Sequence, residues 1–117
     1  PRNVHVTDWL PAHQLGDAVD LAITHGGEGT VQTICVQGWP FIGIPLQLEQ
    51  RFNVQRCVAF GSARLVSQRE ARRTDWAERV RQALADDGMR SRARRMARLM
   101  GGLDGPGRAA EAICELL

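Results

Sequence analysis

The chain has 117 residues, is 44% hydrophobic, and carries 15 basic and 13 acidic residues for a net charge of +2. That length fits one domain or a part of one, the apolar content is that of an ordinary globular protein, and the near-balanced charge gives no argument for a nucleic-acid partner. The apolar runs are strand-length and broken by Gly, Pro or Gln, so none reaches the length of a membrane span.

Every basic residue is Arg and none is Lys, a bias of composition rather than of chemistry. The chain opens at Pro1 with no signal-peptide pattern, which reads as a piece of a longer protein. Cys35, Cys57 and Cys114 are far apart in sequence, each within an apolar helical pattern. They lack the close Cys/His pairs that zinc requires. They are therefore expected to be small core residues with no redox or metal role, in keeping with a reducing, cytoplasmic location.

Taken in chain order, "NVHV" (Asn3–Val6) is a short apolar alternation and reads as a first strand. "DLAIT" (Asp20–Thr24), "PFIGIP" (Pro40–Pro45) and "ARLV" (Ala63–Val66) are compact apolar runs with almost no polar alternation. Such runs suit strands buried on both faces of a parallel sheet. Between them, Val31, Ile34 and Cys35 fall at helical spacing, and Val54, Cys57 and Val58 repeat it. Gly61 stands where a C-terminal helix cap belongs. Strands alternating with helices at this pitch read as βαβ units.

The second half is helical. "SQRE" (Ser67–Glu70) has capping-box spacing. Trp76, Val80 and Leu84 form one apolar stripe, and Met89, Ala93, Met96, Ala97 and Met100 another. "GGLDGPG" (Gly101–Gly107) marks a break, followed by a last helix with Ala109, Ala110, Ile113, Leu116 and Leu117 on its apolar side. The expected organisation is a βαβ core over residues 1–66 with C-terminal helices over 67–117 packed on the same domain. Four strands are fewer than the five or six of a doubly wound domain. The chain thus reads as α/β, the second half of a Rossmann-like parallel sheet, with a helical C-terminal tail.

"DLAIT-HGGEGT-VQTICVQG" reads as strand, glycine turn and helix. A helix N-terminus beyond the carboxyl end of a parallel strand offers unpaired N–H groups and the positive end of the helix dipole. Glycines let a ligand approach the backbone closely, and phosphate is the usual occupant of such a site. His25 and the Thr30 hydroxyl can each add a hydrogen bond. A plain turn needing positive φ is the alternative. No Lys follows, which excludes a Walker A loop, and Gln32 stands where a dinucleotide fingerprint has its third Gly.

The spaced set His25, Gly26, Gly27, Gly29, Thr30, Gly38, Pro40, Pro45, Glu49, Gln50, Asn53 and Gly61, with "DWLP" upstream, resembles the donor-binding signature of GT-B fold glycosyltransferases. The resemblance runs from Val4 to about Val66. It points to the UDP-glycosyltransferase and antibiotic (macrolide-type) glycosyltransferase family, and to the C-terminal, nucleotide-sugar-binding domain within it. It implies that Trp9 stacks on the nucleobase and the Leu10 backbone bonds its edge. It implies that His25, Gly26, Gly27, Gly29 and Thr30 hold the pyrophosphate, and that Glu49 and Gln50 bind hydroxyls of the donor sugar. The activity implied is metal-independent transfer of a hexosyl group from a UDP- or dTDP-sugar to a small hydrophobic acceptor, with no cofactor. The acceptor domain, with its catalytic base, and the first strands of the donor domain would lie outside these residues, so this piece alone is expected not to turn over. Because the family includes enzymes acting on lipids and sterols, a peripheral membrane contact is compatible with the resemblance.

Two positions depart from the family pattern: Ala12 stands where Gln often follows the W-x-P proline, and Thr33 where many members have a ribose-binding Glu. They leave UDP and dTDP both open, with Thr33 a candidate ribose contact. Each site residue also has a plainer role: Trp9 as a core aromatic, His25 as a turn cap, Glu49 and Gln50 as solvated first-turn residues, Asn53 as a structural tie. His5 and His13 read as incidental. Two rival functions come from other classes. A nicotinamide-dinucleotide oxidoreductase would need an acid at the end of the next strand, and "PFIGIP" ends in Pro45. A non-catalytic anion-binding module would use the five arginines of "RSRARRMARLM" (Arg90–Met100).

Overall fold

A computed structural model describes residues 1–117. Three short strands, β1 (Ala22–Thr24), β2 (Phe41–Gly43) and β3 (Ala63–Leu65), form a parallel sheet in the order β1-β2-β3. Ala22 is in register with Phe41 and Phe41 with Ala63; Thr24 aligns with Gly43 and Gly43 with Leu65. All three strands therefore end at one edge, and the segments after Thr24, Gly43 and Leu65 emerge there together. Helix α1 (Glu28–Gln37) connects β1 to β2, and α2 (Leu48–Phe60) connects β2 to β3.

The pleat sorts the strand side chains into two cores. Phe41 joins Val31, Ile34, Cys35, Trp39, Val54, Cys57 and Ala63 in the cluster under α1 and α2. Its neighbour Ile42 points the other way, with Val66, Ala83 and Met89. Phe41 and Ile42 are both fully buried, so β2 is covered on both faces. Gly43 follows the alternation back toward α2, and a Cβ there would stand 2.5 Å from both methyls of Val54. The glycine lets α2 lie close against the sheet.

The later helices are α3 (Gln68–Ala71), α4 (Trp76–Leu84), α5 (Asp87–Gly101) and α6 (Gly105–Glu115). Each starts at a capping side chain: Ser67, Asp75, Asp86 and Asp104 accept from the N–H of Glu70, Glu78, Met89 and Gly107. Helices α1 and α2 end at Gly38 (φ +75°) and Gly61 (φ +95°) in the left-handed conformation. The α5 stripe spans both cores, since Met89 sits in the second and Met96 and Met100 pack on the first. The Ala97 methyl lies 3.1 Å from where a Cβ on Gly38 would be, so α5 seats against the end of α1. No helix is long and apolar enough to cross a membrane.

Four expectations are corrected. Cys114, expected to be a small core residue, is exposed. Asn3–Val6 forms no strand, and Val6 is 86% exposed. A strand needs a neighbour to pair its backbone and cover its side chains, and this segment has neither, so the sheet has three strands. The break at Gly101–Gly107 is shorter than the glycines suggest. Helix α5 runs through Gly101, and α6 begins at Gly105 with Pro106 in its first turn, where a missing N–H is harmless. The apolar side of α6 is uncovered: the helix buries no residue, and Leu116 is 87% exposed.

Candidate functional site

The site is built on the carboxyl edge of the sheet. After Thr24 the chain turns through Gly26, whose φ of +90° favours glycine. A Cβ there would meet Val54 Cγ2 at 2.5 Å and the Gln50 carbonyl at 3.0 Å. The Gly26 N–H donates to Thr24 Oγ1 (3.3 Å), and the Gly26 carbonyl accepts from Asn53 Nδ2 (3.1 Å). The turn is thus held from strand and from helix.

Gly27 is the N-cap of α1 and supplies no capping side chain. Its own N–H donates to His25 Nδ1 (3.1 Å). The first helical bond is Val31 N–H to the Gly27 carbonyl (2.9 Å), so the N–H groups of Glu28, Gly29 and Thr30 have no partner within the chain. They stand at the positive end of the helix dipole. With Nδ1 accepting, the neutral His25 ring carries its proton on Nε2, so its free nitrogen is a donor. The side chain is exposed. A Cβ on Gly27 would come within 2.6 Å of the His25 ring, whereas one on Gly29 would meet nothing.

Beside this helix start lies an open hollow of about 370 Å³. Gly29, Thr30 and Thr33 line it, together with Leu10, Thr24 and Trp39. The Thr33 hydroxyl donates back to the Gly29 carbonyl (3.0 Å), which leaves its oxygen as an acceptor. Two hydrogen bonds hold the N-terminal segment against α1: Trp39 Nε1 donates to the Gly16 carbonyl (2.7 Å) and Gln37 Nε2 to the His13 carbonyl (2.8 Å). Leu10 reaches the hollow through this docking. Its carbonyl accepts from Ala12 N–H (2.8 Å) and its own N–H is unpaired. Trp9 is 73% exposed and its ring does not line the hollow.

Glu49 and Gln50 open α2. Gln50 Oε1 accepts from the N–H groups of Leu46 (2.9 Å) and Gln47 (3.2 Å), a back-bond that closes the helix start. Its amide NH2 is left as the group free for a ligand. Glu49 Oε1 accepts from Asn53 Nδ2 (2.5 Å), the same nitrogen that bonds Gly26. Asn53 therefore ties the glycine turn to the Glu49 carboxylate, a structural role. The fold brings His25, the glycine turn, Leu10, Thr30, Thr33 and Glu49 to one edge and leaves Trp9 in solvent. No three side chains among His, Cys, Asp and Glu cluster closely enough to hold a metal ion.

Sequence reasoning missed Thr24 and Trp39. Thr24 ends the strand as a turn-holding hydroxyl. Trp39 is the unspecified middle residue of "GWP", and its burial depends on Gly16, 23 residues earlier. The arginine-rich helix is partly engaged inside the molecule: Arg90 bonds Asp87 and the Leu84 carbonyl, and Arg92 the Phe60 carbonyl.

Residues 1–116 match the family described as erythromycin biosynthesis protein CIII-like, C-terminal domain. The chain is 33% identical over 114 residues to the oleandomycin glycosyltransferase of Streptomyces antibioticus, covering 97% of the chain and 26% of that protein. It is 29% identical over 101 residues to a PGL/p-HBAD biosynthesis glycosyltransferase of Mycobacterium tuberculosis, covering 86% of the chain and 24% of that protein. Among solved structures, the calicheamicin glycosyltransferase CalG4 superposes with a TM-score of 0.86 at 28% identity, over 97% of the chain and 30% of that structure. The chain spans about a quarter of the length of these curated relatives.

Proposed function

The chain belongs to the erythromycin biosynthesis protein CIII-like C-terminal domain family of glycosyltransferases, and on that premise we propose that it binds the nucleoside diphosphate of a UDP- or dTDP-sugar. The diphosphate takes the N–H groups of Glu28, Gly29 and Thr30 and the His25 Nε2–H. The nucleoside enters the hollow between Leu10 and Thr33, with Trp9 free to close over the base. The donor sugar extends toward Glu49 and the Gln50 amide. The observation that carries this reading is the row of unpaired N–H groups at the α1 start, opening on a hollow lined by Gly29, Thr30 and Thr33.

In the whole enzyme the donor passes a hexosyl group to an acceptor hydroxyl. As the bond from the anomeric carbon to the diphosphate oxygen breaks, negative charge grows on the leaving group. Fixed N–H dipoles at a helix N-terminus stabilise that charge without reorganising. This part of the reaction needs no cofactor from the chain. The acceptor, and the base that activates it, belong to parts of the protein outside these residues.

Calorimetric titration of the chain with UDP and with dTDP tests the reading. Saturable binding of one or both is expected, weakened about tenfold in His25→Ala, in line with one charge-assisted hydrogen bond. If Thr33 sits at the ribose, Thr33→Glu shifts the ratio of the two affinities. Absence of binding by either nucleotide would overturn the proposal.

A further inference from the structure

Cys35 and Cys57 are 22 residues apart in sequence, yet their sulfurs are 3.8 Å apart in the fold. They face one another from α1 and α2, each in line with a residue one turn earlier, Val31 and Asn53. Both are free thiols and almost fully buried. They are not sealed off: both line an open hollow of about 330 Å³ between the helices, together with Glu28, Gln32, Asn53 and Arg56. Neither thiol takes part in the nucleotide site.

We propose that Cys35 and Cys57 are a redox-active dithiol that a hydroperoxide-class oxidant converts into a disulfide joining α1 to α2. The sequence reading of both as small core residues with no redox role agrees with their place in the first core, and the proposal departs from it in the redox role alone. Cys57 is the partner that ionises first. The hydrogen bond it shares with Cys35 pulls its thiol below the usual cysteine range despite the opposing effect of burial, and the Ser62 hydroxyl adds to this. The same hydrogen bond, with burial, keeps the proton on Cys35.

The Cys57 thiolate attacks one peroxide oxygen, the O–O bond breaks, and hydroxide leaves with Cys57 as the sulfenic acid. Cys35 then attacks the Cys57 sulfur, and the sulfenic hydroxyl departs with the Cys35 proton as water. Two thiols and one hydrogen peroxide give one disulfide and two waters, and the two electrons pass from sulfur to peroxide. A disulfide needs about 2.05 Å between sulfurs, so the two must close by less than about 2 Å. The glycine turn stands at the start of α1, and Glu49 and Asn53 on α2. The bond would staple the two elements that carry those groups.

The test uses the full chain with Cys114→Ser, which removes the exposed thiol. The protein is treated with stoichiometric hydrogen peroxide, denatured with an alkylating reagent, and weighed intact. The expected product is about 2 Da lighter, takes up no alkyl group, shows no disulfide-linked pair of chains, and returns to two alkylated thiols after dithiothreitol. Its melting temperature should exceed that of the reduced form. Full alkylation of both cysteines after peroxide overturns the proposal, as does separate oxidation of each to sulfinic acid. The decisive readout comes from the Cys114→Ser chain, in which Cys35 and Cys57 are both intact, so instability of a Cys35→Ser or Cys57→Ser variant cannot obscure it.

Discussion

Gly26 and Gly29 lie in the same turn but answer to different constraints. At Gly26 a methyl group meets both a positive φ and two groups of α2 within 3.0 Å. Gly26→Ala should therefore cost about 2–4 kcal/mol of folding stability, combining backbone strain with overpacking, as read by urea unfolding. At Gly29 the added Cβ meets nothing, so Gly29→Ala should leave the unfolding free energy from urea titration within about 0.5 kcal/mol of the parent. It should weaken nucleotide binding, because the methyl enters the space assigned to phosphate. Gln50 separates structure from binding in the same way. Gln50→Ala loses both back-bonds to Leu46 and Gln47 and should cost about 1–2 kcal/mol. Gln50→Glu keeps the accepting oxygen and removes the free NH2. It should retain the stability while losing affinity for the donor sugar, measured as the difference between nucleotide-sugar and bare nucleotide binding.

At the level of elements, the start of α5 joins two uses of one side chain. Asp86 caps the helix by accepting from Met89 N–H (2.9 Å) and pairs with Arg64 on β3 (2.8 Å). The Arg64 hydrogen bond, followed by the Met89 N–H, holds its carboxyl below the usual aspartate range. A carboxylate whose pKa is lower in the folded state stabilises fully above its unfolded value of about 3.9, and the gain is lost as pH falls through the folded value. The pair is about a third exposed on both sides, so it is worth no more than about 1 kcal/mol. Asp86→Asn keeps a competent cap and removes the charge. The unfolding free energies of parent and variant from urea titrations should differ by that amount at pH 6 and converge as pH falls below the usual aspartate range.

For the whole molecule, burial is uneven. The two cores take in residues from β1 to α5, whereas α6 contributes none. A chain ending at Leu103 should have an unfolding free energy from urea titration within about 0.5 kcal/mol of the parent, while its far-UV circular dichroism loses the signal of one helix. A drop of several kcal/mol would mean that α6 packs against the cores in solution. The same unevenness shows at the other end, where the docked segment around Gly16 is held by Trp39 and Gln37 and the residues before it stay exposed.

Local rules carried much of this protein in its sequence alone. Apolar runs at Asp20–Thr24, Pro40–Pro45 and Ala63–Val66 marked the strands that form within them, Gly61 a helix end and Ser67–Glu70 a capping box, because each depends on residues within one turn or one pleat. The spaced signature from His25 to Gly61 marked the family for the same reason: its glycines and polar residues sit at fixed offsets from strand ends. Tertiary structure decided the rest. Asn3–Val6 has the pattern of a strand but no neighbour to pair with, and the α6 stripe has no surface to cover it. Gln50 turned out to hold its own helix start, Asn53 to bind the glycine turn, and Cys35 to meet Cys57 across two helices. Those contacts join positions far apart in the chain, and no local pattern encodes which faces of two helices will be pressed together until the sheet beneath them sets their spacing.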